Sequence, residues 1–387
     1  MCHDAGMIRT DCRHWRADRP CAFNKRDGAE CPSCRHVSPY RDRVLFIKLD
    51  APGDVLRSAS LLPAVAARHE RPYIAWLTRA DSVELVRMMT LVDETIAVSP
   101  EALARIAAGG WTQVYSLSND ADSAALATAA AGAMRPEGFF LRNGIVTASN
   151  EAAGRWLEMA AFDRLKQANT ETYQARMLAI LGAAPPFAPP SLRIPQAEQR
   201  RAADRVAALF RPGRRPRIAV NVGAGGRWPK KMLPPGETAR VIRRVLARSG
   251  ADVVLVGGAA DAARAEAVQA ALGPTEGRVA PALTPGSISA FVATLTQADA
   301  LFCGDTLALH VASAIGLPTL AVFGPTSIAE IADFDGLIEK VAAPLDCLCC
   351  YGDCDKDVTC MTALDPDALA ARLIARLPPR AHREEGR

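Results

Sequence analysis

The chain has 387 residues, a length at which two domains are more usual than one. A hydrophobic content of 49% and a charged content of 23% are typical of a globular protein, and a net charge of +4 does not indicate a nucleic-acid-binding protein. Apolar runs of about 18 residues are absent and residues 1–15 lack a signal core, so we expect a cytoplasmic protein without membrane spans.

The cysteines lie mainly at the two ends of the chain. Five occur between residues 2 and 34, five between residues 347 and 360, and Cys303 stands alone between them. In a reducing compartment, clustered cysteines indicate metal or redox chemistry more than disulfides.

From residue 42 to 182, short apolar runs alternate with helical patterns. Strands are predicted at residues 43–49, 73–78, 95–99, 113–118 and 144–148, and helices at residues 54–68, 81–89 and 170–182. This alternation predicts a parallel sheet with crossover helices.

A Pro-rich stretch at residues 183–195 cannot form a helix interior and indicates an interdomain linker. The alternation then restarts, with strands predicted at residues 217–222, 252–258, 298–303 and 318–324, and helices at 236–249, from 261, at 287–297 and at 305–316. We therefore predict an α/β fold of two doubly wound, Rossmann-like domains that face a cleft. The predicted parts are a Cys-rich extension (1–41), a first domain (42–182), a linker (183–200), a second domain (201–345) and a Cys-rich tail (346–387).

Ligands of such sheets bind beyond the carboxyl ends of the strands, so the turns there matter most. The first turn, LDAPGD, places Asp50 and Asp54 after a buried strand, with Pro52 and Gly53 shaping the turn. Asp54 can cap the following helix, and it can also take a proton from a hydroxyl in the cleft. Asp50 is expected to shape the loop.

The second turn, NVGAGGRWPKK, follows the first strand of the second domain. The amides of Gly223, Gly225 and Gly226 can cradle an anion, and Lys230 or Lys231 can supply positive charge. The alternative is an ordinary loop with a solvated basic pair, because the pattern matches neither of the standard nucleotide-binding glycine motifs.

The third turn lies in FCGDTLALH. Asp305 or Thr306 is positioned to cap a helix whose first amides suit a phosphate or a ribose, and His310 follows one turn later. His310 can equally be a structural residue of the helix.

Together, these turns resemble glycosyltransferase family 9, the ADP-heptose:lipopolysaccharide heptosyltransferases of the GT-B fold. The segments that carry the resemblance are residues 44–65, 221–242, 253–258 and 303–327, which occur in the family's order. The resemblance covers residues 42 to 345.

By position, the resemblance implies roles for residues of all three turns. Asp54 matches the catalytic base, Lys231 matches the lysine that contacts the donor phosphate (with Lys230 adjacent), and the polar residues of the third turn match a segment that lines the nucleotide-sugar site. Leu307 stands where the family pattern has glycine, which leaves open a donor pocket of different shape.

The resemblance also implies a mechanism, an inverting transfer without a catalytic divalent metal. The acceptor would bind to the first domain, and an ADP-sugar donor would bind to the second. Domain closure would exclude water, which otherwise hydrolyses the donor.

Each cysteine group offers four thiolates, enough for a structural Zn or Fe site or an Fe–S cluster. The two candidate ligand sets are Cys12, Cys21, Cys31 and Cys34, and Cys347, Cys350, Cys354 and Cys360. The second set resembles the iron-binding cysteine element of bacterial protein O-heptosyltransferases. The alternative for both sets is reduced surface thiols, and Cys303 is expected to be a small core residue.

Three functions follow. The first is transfer of heptose or a similar sugar from an ADP-sugar to a lipopolysaccharide core or related glycan or glycolipid, with peripheral contact at the inner face of the cytoplasmic membrane. The second is protein O-heptosyl transfer. The third is a non-catalytic, metal- or redox-sensing nucleotide-binding protein. None of the three involves nucleic acid.

Overall fold

The computed structural model describes residues 8–183, 186–212, 215–223, 229–284, 286–352 and 354–378. Gly225 and Gly226, two of the predicted donor-binding glycines, lie outside the described residues. The strands are β1 (Arg43–Ile47), β2 (Tyr73–Thr78), β3 (Glu94–Ala97), β4 (Gln113–Ser116), β5 (Glu137–Arg142), β6 (Ile145–Ala148), β7 (Arg217–Asn221), β8 (Asp252–Val256), β9 (Val279–Pro281), β10 (Ala300–Gly304), β11 (Thr319–Phe323) and β12 (Ile338–Ala342).

The helices surround these strands. They are α1 (Ala22–Asp27), α2 (Pro52–Ser58), α3 (Leu62–Ala67), α4 (Val83–Met88), α5 (Pro100–Ala107), α6 (Ala121–Ala131), α7 (Glu151–Ala161), α8 (Asp163–Gln167), α9 (Tyr173–Ile180), α10 (Gln196–Ala207), α11 (Pro235–Arg248), α12 (Ala262–Leu272), α13 (Ile288–Leu295), α14 (Leu307–Ile315) and α15 (Pro366–Ala375). Within the described ranges, every helix is too short or too polar to serve as a membrane span.

The strands form two six-stranded sheets, one in each domain. The first has the order β3-β2-β1-β4-β5-β6, and the second has the order β12-β11-β10-β7-β8-β9. The paired strands are parallel, apart from the antiparallel β5–β6 hairpin. This arrangement confirms the predicted α/β fold of two doubly wound domains. The strand order reverses between β1 and β4 and between β7 and β10, which are the points where such sheets open a crevice for ligands.

Both sheets are covered on their two faces, which explains why their central strands are continuous apolar runs. In β1 the four residues from Val44 to Ile47 are fully buried. One hydrophobic cluster holds Phe46, Trp76 and residues of α2, and it continues across the domain boundary to Leu309 on α14. Helix α2 packs against α14, so the two domains share part of one core.

Several elements differ from the sequence prediction. The helix predicted at residues 54–68 is divided into α2, a 3₁₀ turn (Ala59–Leu61) and α3, and it begins two residues early because Pro52 starts the first turn. Helix α10 begins at Gln196, inside the range predicted as linker, and packs against α13. Strands β5, β9 and β12 were not predicted. Strand β9 has only three residues, β12 is an edge strand that contains Glu339 and Lys340, and β5 begins with Glu137 and Gly138, residue types that are depleted in strands.

The two ends of the chain pack against the domains. In the extension, Arg13 forms an ion pair of 2.7 Å with Asp93 of the first domain. After the second cysteine group, α15 packs against α11, β10 and β11, and its Leu369 and Leu373 join the core of the second domain. The residues after the cysteine group therefore cover part of one face of the second sheet.

Candidate active site

A cavity of about 900 Å³ lies between the two domains, at the carboxyl ends of β1, β7, β8, β10 and β11. This volume is within the range of small-molecule sites. Its walls include all the predicted site residues of the three turns that lie in the described chain, apart from Asp50: Gly53, Asp54, Gly223, Lys231, Asp305, Thr306 and His310. The topology thus gathers three turns that are far apart in sequence.

Asp54 lies in the first turn of α2, and it is not the N-cap. Ala51 occupies the N-cap position and Pro52 begins the helix, since proline is pre-shaped for that place and needs no hydrogen-bond acceptor there. The side chain of Asp54 is 35% exposed, and its Oδ1 lies 2.7 Å from Nη2 of Arg57, one turn later. The expectation that Asp54 caps α2 is therefore wrong, and Asp54 lines the cavity instead.

Asp50 does not line the cavity and forms a separate ion pair. Its Oδ2 lies 3.0 Å from Nζ of buried Lys48 and accepts a hydrogen bond from Ser118 at the end of β4. Burial alone would raise the pKa of Asp50, but the charge of Lys48 and the Ser118 hydroxyl hold this pKa below its ordinary value. Asp50 therefore ties the turn after β1 to the segment after β4.

Lys231 and Lys230 point to different partners. Nζ of Lys231 lies 3.2 Å from Oδ2 of Asp305, and its side chain lines the cavity. Nζ of Lys230 instead donates to the carbonyl oxygen of Cys354. A Cβ at Gly304 would overlap the carbonyl oxygen of Lys231, so glycine at the end of β10 permits this close approach.

The acid of the third turn, Asp305, is charged although only 17% of its side chain is exposed. Burial alone would raise the pKa of Asp305, but the charge of Lys231 lowers it below its ordinary value. Burial and the neighbouring charge of Arg57 lower the pKa of His310 to about 4, so its imidazole is neutral at pH 7. The second and third turns together thus present the Lys231–Asp305 ion pair and the neutral imidazole of His310.

Thr306 occupies the N-cap position of α14, but its hydroxyl is used elsewhere. Oγ1 accepts a hydrogen bond of 3.0 Å from Nδ2 of Asn221, which also donates to the carbonyl oxygen of Gly223 at 2.7 Å. This leaves the first amides of α14, at Leu307 and Ala308, in the cavity wall, where they can receive an anion.

The cavity wall also contains polar residues that the sequence pattern did not identify, and three of them are Asp261, Arg57 and Glu84. Asp261 accepts a hydrogen bond of 2.8 Å from the amide of Gly258. Arg57 stacks 3.9 Å from the centre of the Tyr173 ring and pairs with Asp54. The spacing of three residues from Asp54 was the signal that could have identified Arg57. The sequence pattern identifies Asp261 only as the start of a helix.

Glu84 is the third of these residues, and it connects the domains at one end of the cavity. Its Oε2 accepts from the amide of Ile288 at 2.7 Å, and its Oε1 accepts from the hydroxyls of Ser287 at 3.1 Å and Ser289 at 2.5 Å. A carboxylate of the first domain thus caps α13 of the second domain. Burial opposes ionisation, but these donors hold the pKa of Glu84 below its ordinary value.

The cysteines are free thiols throughout the described chain. In the extension, Cys34 Sγ accepts from the amide of His36 at 3.3 Å, and Cys12 Sγ accepts from the amide of Ser38 at 3.4 Å. Across the described ranges, three or more His, Cys, Asp or Glu side chains are nowhere gathered as a metal-holding group. Cys303 is 1% exposed in β10.

Comparisons with known proteins agree with this architecture. The E. coli ADP-heptose lipopolysaccharide heptosyltransferase II has 20% sequence identity and a TM-score of 0.64, with 86% of this chain and 98% of that chain covered. A family 9 glycosyltransferase from Veillonella parvula has 18% identity and a TM-score of 0.63, with 78% and 86% covered. E. coli heptosyltransferase WaaC, solved with ADP, has 19% identity and a TM-score of 0.57, with 86% and 99% covered.

A comparison with curated protein sequences gives no match. The family model described as glycosyltransferase family 9 (heptosyltransferase) matches residues 103–356, which is more than half of the chain. This range contains the second and third turns, while the turn with Asp54 precedes it. The chain therefore belongs to glycosyltransferase family 9, the heptosyltransferase family, and it is a glycosyltransferase of the GT-B fold.

Proposed function

We propose that the protein transfers heptose, or a similar sugar, from an ADP-sugar to an acceptor hydroxyl with inversion at the anomeric carbon. The observation that carries this proposal is the cavity in which Asp54 of the first domain faces Lys231 and the start of α14 in the second. A carboxylate on one side and positive groups on the other match the needs of a displacement reaction. Family membership sets aside the non-catalytic alternative.

Asp54 is proposed to act as the general base. As the acceptor oxygen forms its bond to the anomeric carbon, the hydroxyl proton passes to the Asp54 carboxylate. The bond between the anomeric carbon and the phosphate oxygen breaks at the same time, and ADP leaves with the bonding electrons. The negative charge that develops on ADP would be stabilised by Lys231 and by the first amides of α14.

The donor is proposed to be an adenosine diphosphate sugar. The solved WaaC enzyme, which shares this fold, was crystallised with ADP. Asp261 at the start of α12 offers a carboxylate that can accept hydrogen bonds from the ribose hydroxyls. Ile288 and Phe291 provide apolar surface against which the adenine ring can pack. Leu307 lies in the same wall, so its side chain would shape the sugar subsite.

For the acceptor, we propose a lipopolysaccharide core or related surface glycan, reached by peripheral contact with the inner face of the cytoplasmic membrane. A protein acceptor is the second candidate, because the C-terminal cysteines resemble the iron-binding cysteine element of bacterial protein O-heptosyltransferases. Parallel incubations with ADP-heptose and either a lipid A–core acceptor or a protein acceptor separate the two candidates.

Both cysteine groups are also proposed as structural Zn or Fe sites, without a role in the transfer. The spacing of each group and the amide donors to Cys12 and Cys34 support this proposal, although the described thiols are not gathered into a set of three. Metal analysis of anaerobically purified protein is the test, and a content well below one metal per chain rejects it.

The function itself is tested by a nucleotide-sugar turnover screen and by Asp54→Asn. We expect the wild type to release ADP from ADP-heptose when an acceptor is present. We expect Asp54→Asn to lower kcat by about 100-fold or more while it still binds ADP, because the amide cannot take the proton. Near-normal kcat in this variant would reject Asp54 as the base.

A further inference from the structure

Tyr351, in the segment that carries the second cysteine group, lines the active-site cavity. The amides of Cys349 and Tyr351 donate to the carbonyl oxygens of Gly324 and Pro325, at 2.9 Å and 2.8 Å, in the turn after β11. A Cβ at Gly324 would overlap Sγ of Cys360, so this glycine permits the segment to approach. We call residues 346–352 and 354–360 the cysteine-rich segment.

Two residues of the cysteine-rich segment have an unusual backbone. Cys349 and Tyr351 have φ angles of 59° and 48°, in the left-handed region that favours glycine. Such conformations persist where surrounding contacts hold them, and they are common near functional sites. Of these two residues, Tyr351 lines the cavity.

The hydroxyl of Tyr351 is fixed by two partners. It accepts a hydrogen bond of 3.2 Å from the amide of Ser327 and donates one of 3.3 Å to Oε1 of Glu330. The Glu330 side chain is only 12% exposed, and its other oxygen, Oε2, lies 3.4 Å from Nη1 of Arg57 in the first domain. Tyr351 thus holds the acid that reaches across the domain boundary.

Arg57 completes the connection to Asp54. Its Nη2 pairs with Oδ1 of Asp54 at 2.7 Å, and its guanidinium stacks on the ring of Tyr173. Burial alone would lower the pKa of Arg57, but the charges of Asp54 and Glu330 raise it, so the guanidinium keeps its charge. Because Arg57 engages Oδ1 of Asp54, Oδ2 is the oxygen left to take the acceptor proton.

We propose that Tyr351 and Glu330 are positioning residues for Asp54, and that the cysteine-rich segment thereby sets the orientation of the base. This inference rests on the proposed role of Asp54. Glu330 holds one arm of Arg57, so that the other arm presents the Asp54 carboxylate to the acceptor. Neither Tyr351 nor Glu330 needs to touch the reacting atoms.

The first test uses Tyr351→Phe and Glu330→Gln. We expect kcat to fall by about tenfold for Tyr351→Phe and by up to 100-fold for Glu330→Gln, since small displacements of a catalytic group cost rates of this order. The donor KM should change by less than about twofold in both, because the donor contacts remain in place.

Matched controls exist elsewhere in the first domain. Tyr73 donates to Glu94 at 3.5 Å, and Glu137 pairs with Arg68 at 2.8 Å, away from the cavity lining. Tyr73→Phe and Glu137→Gln therefore remove similar bonds, and we expect their kcat to stay within about twofold of wild type. Equal losses in these controls would assign the effects to general destabilisation and overturn the proposal.

A second test separates positioning from a merely structural role. In an Asp54→Asn background, Tyr351→Phe should change the residual rate by less than about twofold, because residues that act through the base lose their effect without it. Multiplied losses would overturn the proposal. A crystal structure of Tyr351→Phe gives a readout that needs no turnover, and we expect the Arg57–Asp54 pair to be displaced.

The outcomes for the function and for this inference are distinct. Absence of turnover by the wild type rejects the proposed function, and the crystal structure of Tyr351→Phe then still decides the positioning relation. Turnover by the wild type together with normal kcat in Tyr351→Phe, or an unmoved Arg57–Asp54 pair, overturns the positioning role alone.

Discussion

Gly53 of the first domain lies in contact with His310 of the second, so close that a Cβ at position 53 would stand 2.9 Å from Cδ2 of the imidazole. Gly53 is the residue before Asp54, and His310 lies in the first half of α14. The absence of a side chain at Gly53 therefore sets how closely the turn with the base approaches the donor domain.

Gly53→Ala is expected to lower kcat/KM by about tenfold or more. The added Cβ would lie closer to His310 than van der Waals contact allows, and this would force α2 and α14 apart. The matched control is Gly154→Ala in α7, where an added Cβ meets nothing within 4 Å. That variant should keep its kcat/KM and gain about 0.5–1 kcal/mol of stability. Steady-state kinetics measures kcat/KM of both variants, and thermal unfolding measures their stability. Normal activity in Gly53→Ala would contradict the contact.

The two adjacent lysines should behave differently. Lys231→Met is expected to weaken ADP binding by about 10- to 100-fold, because a charge-assisted contact to phosphate is lost. Lys230→Met should change ADP affinity by less than about twofold, since Nζ of Lys230 points to the carbonyl of Cys354. Isothermal titration calorimetry with ADP measures both values, and equal losses would contradict the separate orientations.

His310 should make the protein less stable as the pH falls. Its pKa is about 4 in the folded state against 6.5 ordinarily, so between these values the unfolded chain binds a proton that the native state does not. The free energy of unfolding therefore falls as the pH drops from about 6.5 to 4, by up to about 3 kcal/mol.

Urea unfolding at pH 7 and pH 5 measures this effect of His310. In His310→Asn the part of the slope that comes from this residue should disappear, since asparagine does not titrate in this range. An unchanged pH dependence in the variant would show that His310 binds its proton equally well in both states.

Glu84 should stabilise the closed arrangement of the domains. Glu84→Ala removes the carboxylate that caps α13 from the other domain, and we expect the donor KM to rise by about five- to tenfold. Because the folded-state pKa of Glu84 is lowered, its contribution is present above its unfolded pKa and is lost as the pH falls through the folded value.

Small-angle scattering checks the same variant directly. We expect a larger radius of gyration for Glu84→Ala than for wild type at pH 7. The control is Glu101→Ala, an acid in the first turn of α5 within one domain, which should leave both the radius and the donor KM unchanged. Equal radii for Glu84→Ala and wild type would contradict a role in closure.

The fold class could be predicted from the amino-acid sequence alone, and so could the turns at which we expect ligands to bind. Apolar runs such as Val44 to Ile47 are typical of buried strands. Their alternation with amphipathic helices indicates doubly wound domains, in which both faces of each sheet are covered. Because ligand sites follow the carboxyl ends of such strands, the turns with Asp54, Lys231 and Asp305 could be selected before any coordinates.

The tertiary structure decided what each residue of those turns contacts. Whether Asp54 is a helix cap or lines the cavity depended on where α2 begins. Which of Lys230 and Lys231 lines the cavity depended on the direction in which each side chain leaves a short 3₁₀ turn. The link from Tyr351 through Glu330 and Arg57 to Asp54 joins residues almost 300 positions apart in sequence. Apart from the three-residue spacing of Asp54 and Arg57, local pattern carries no information on these contacts, because packing between two domains brings the other residues together.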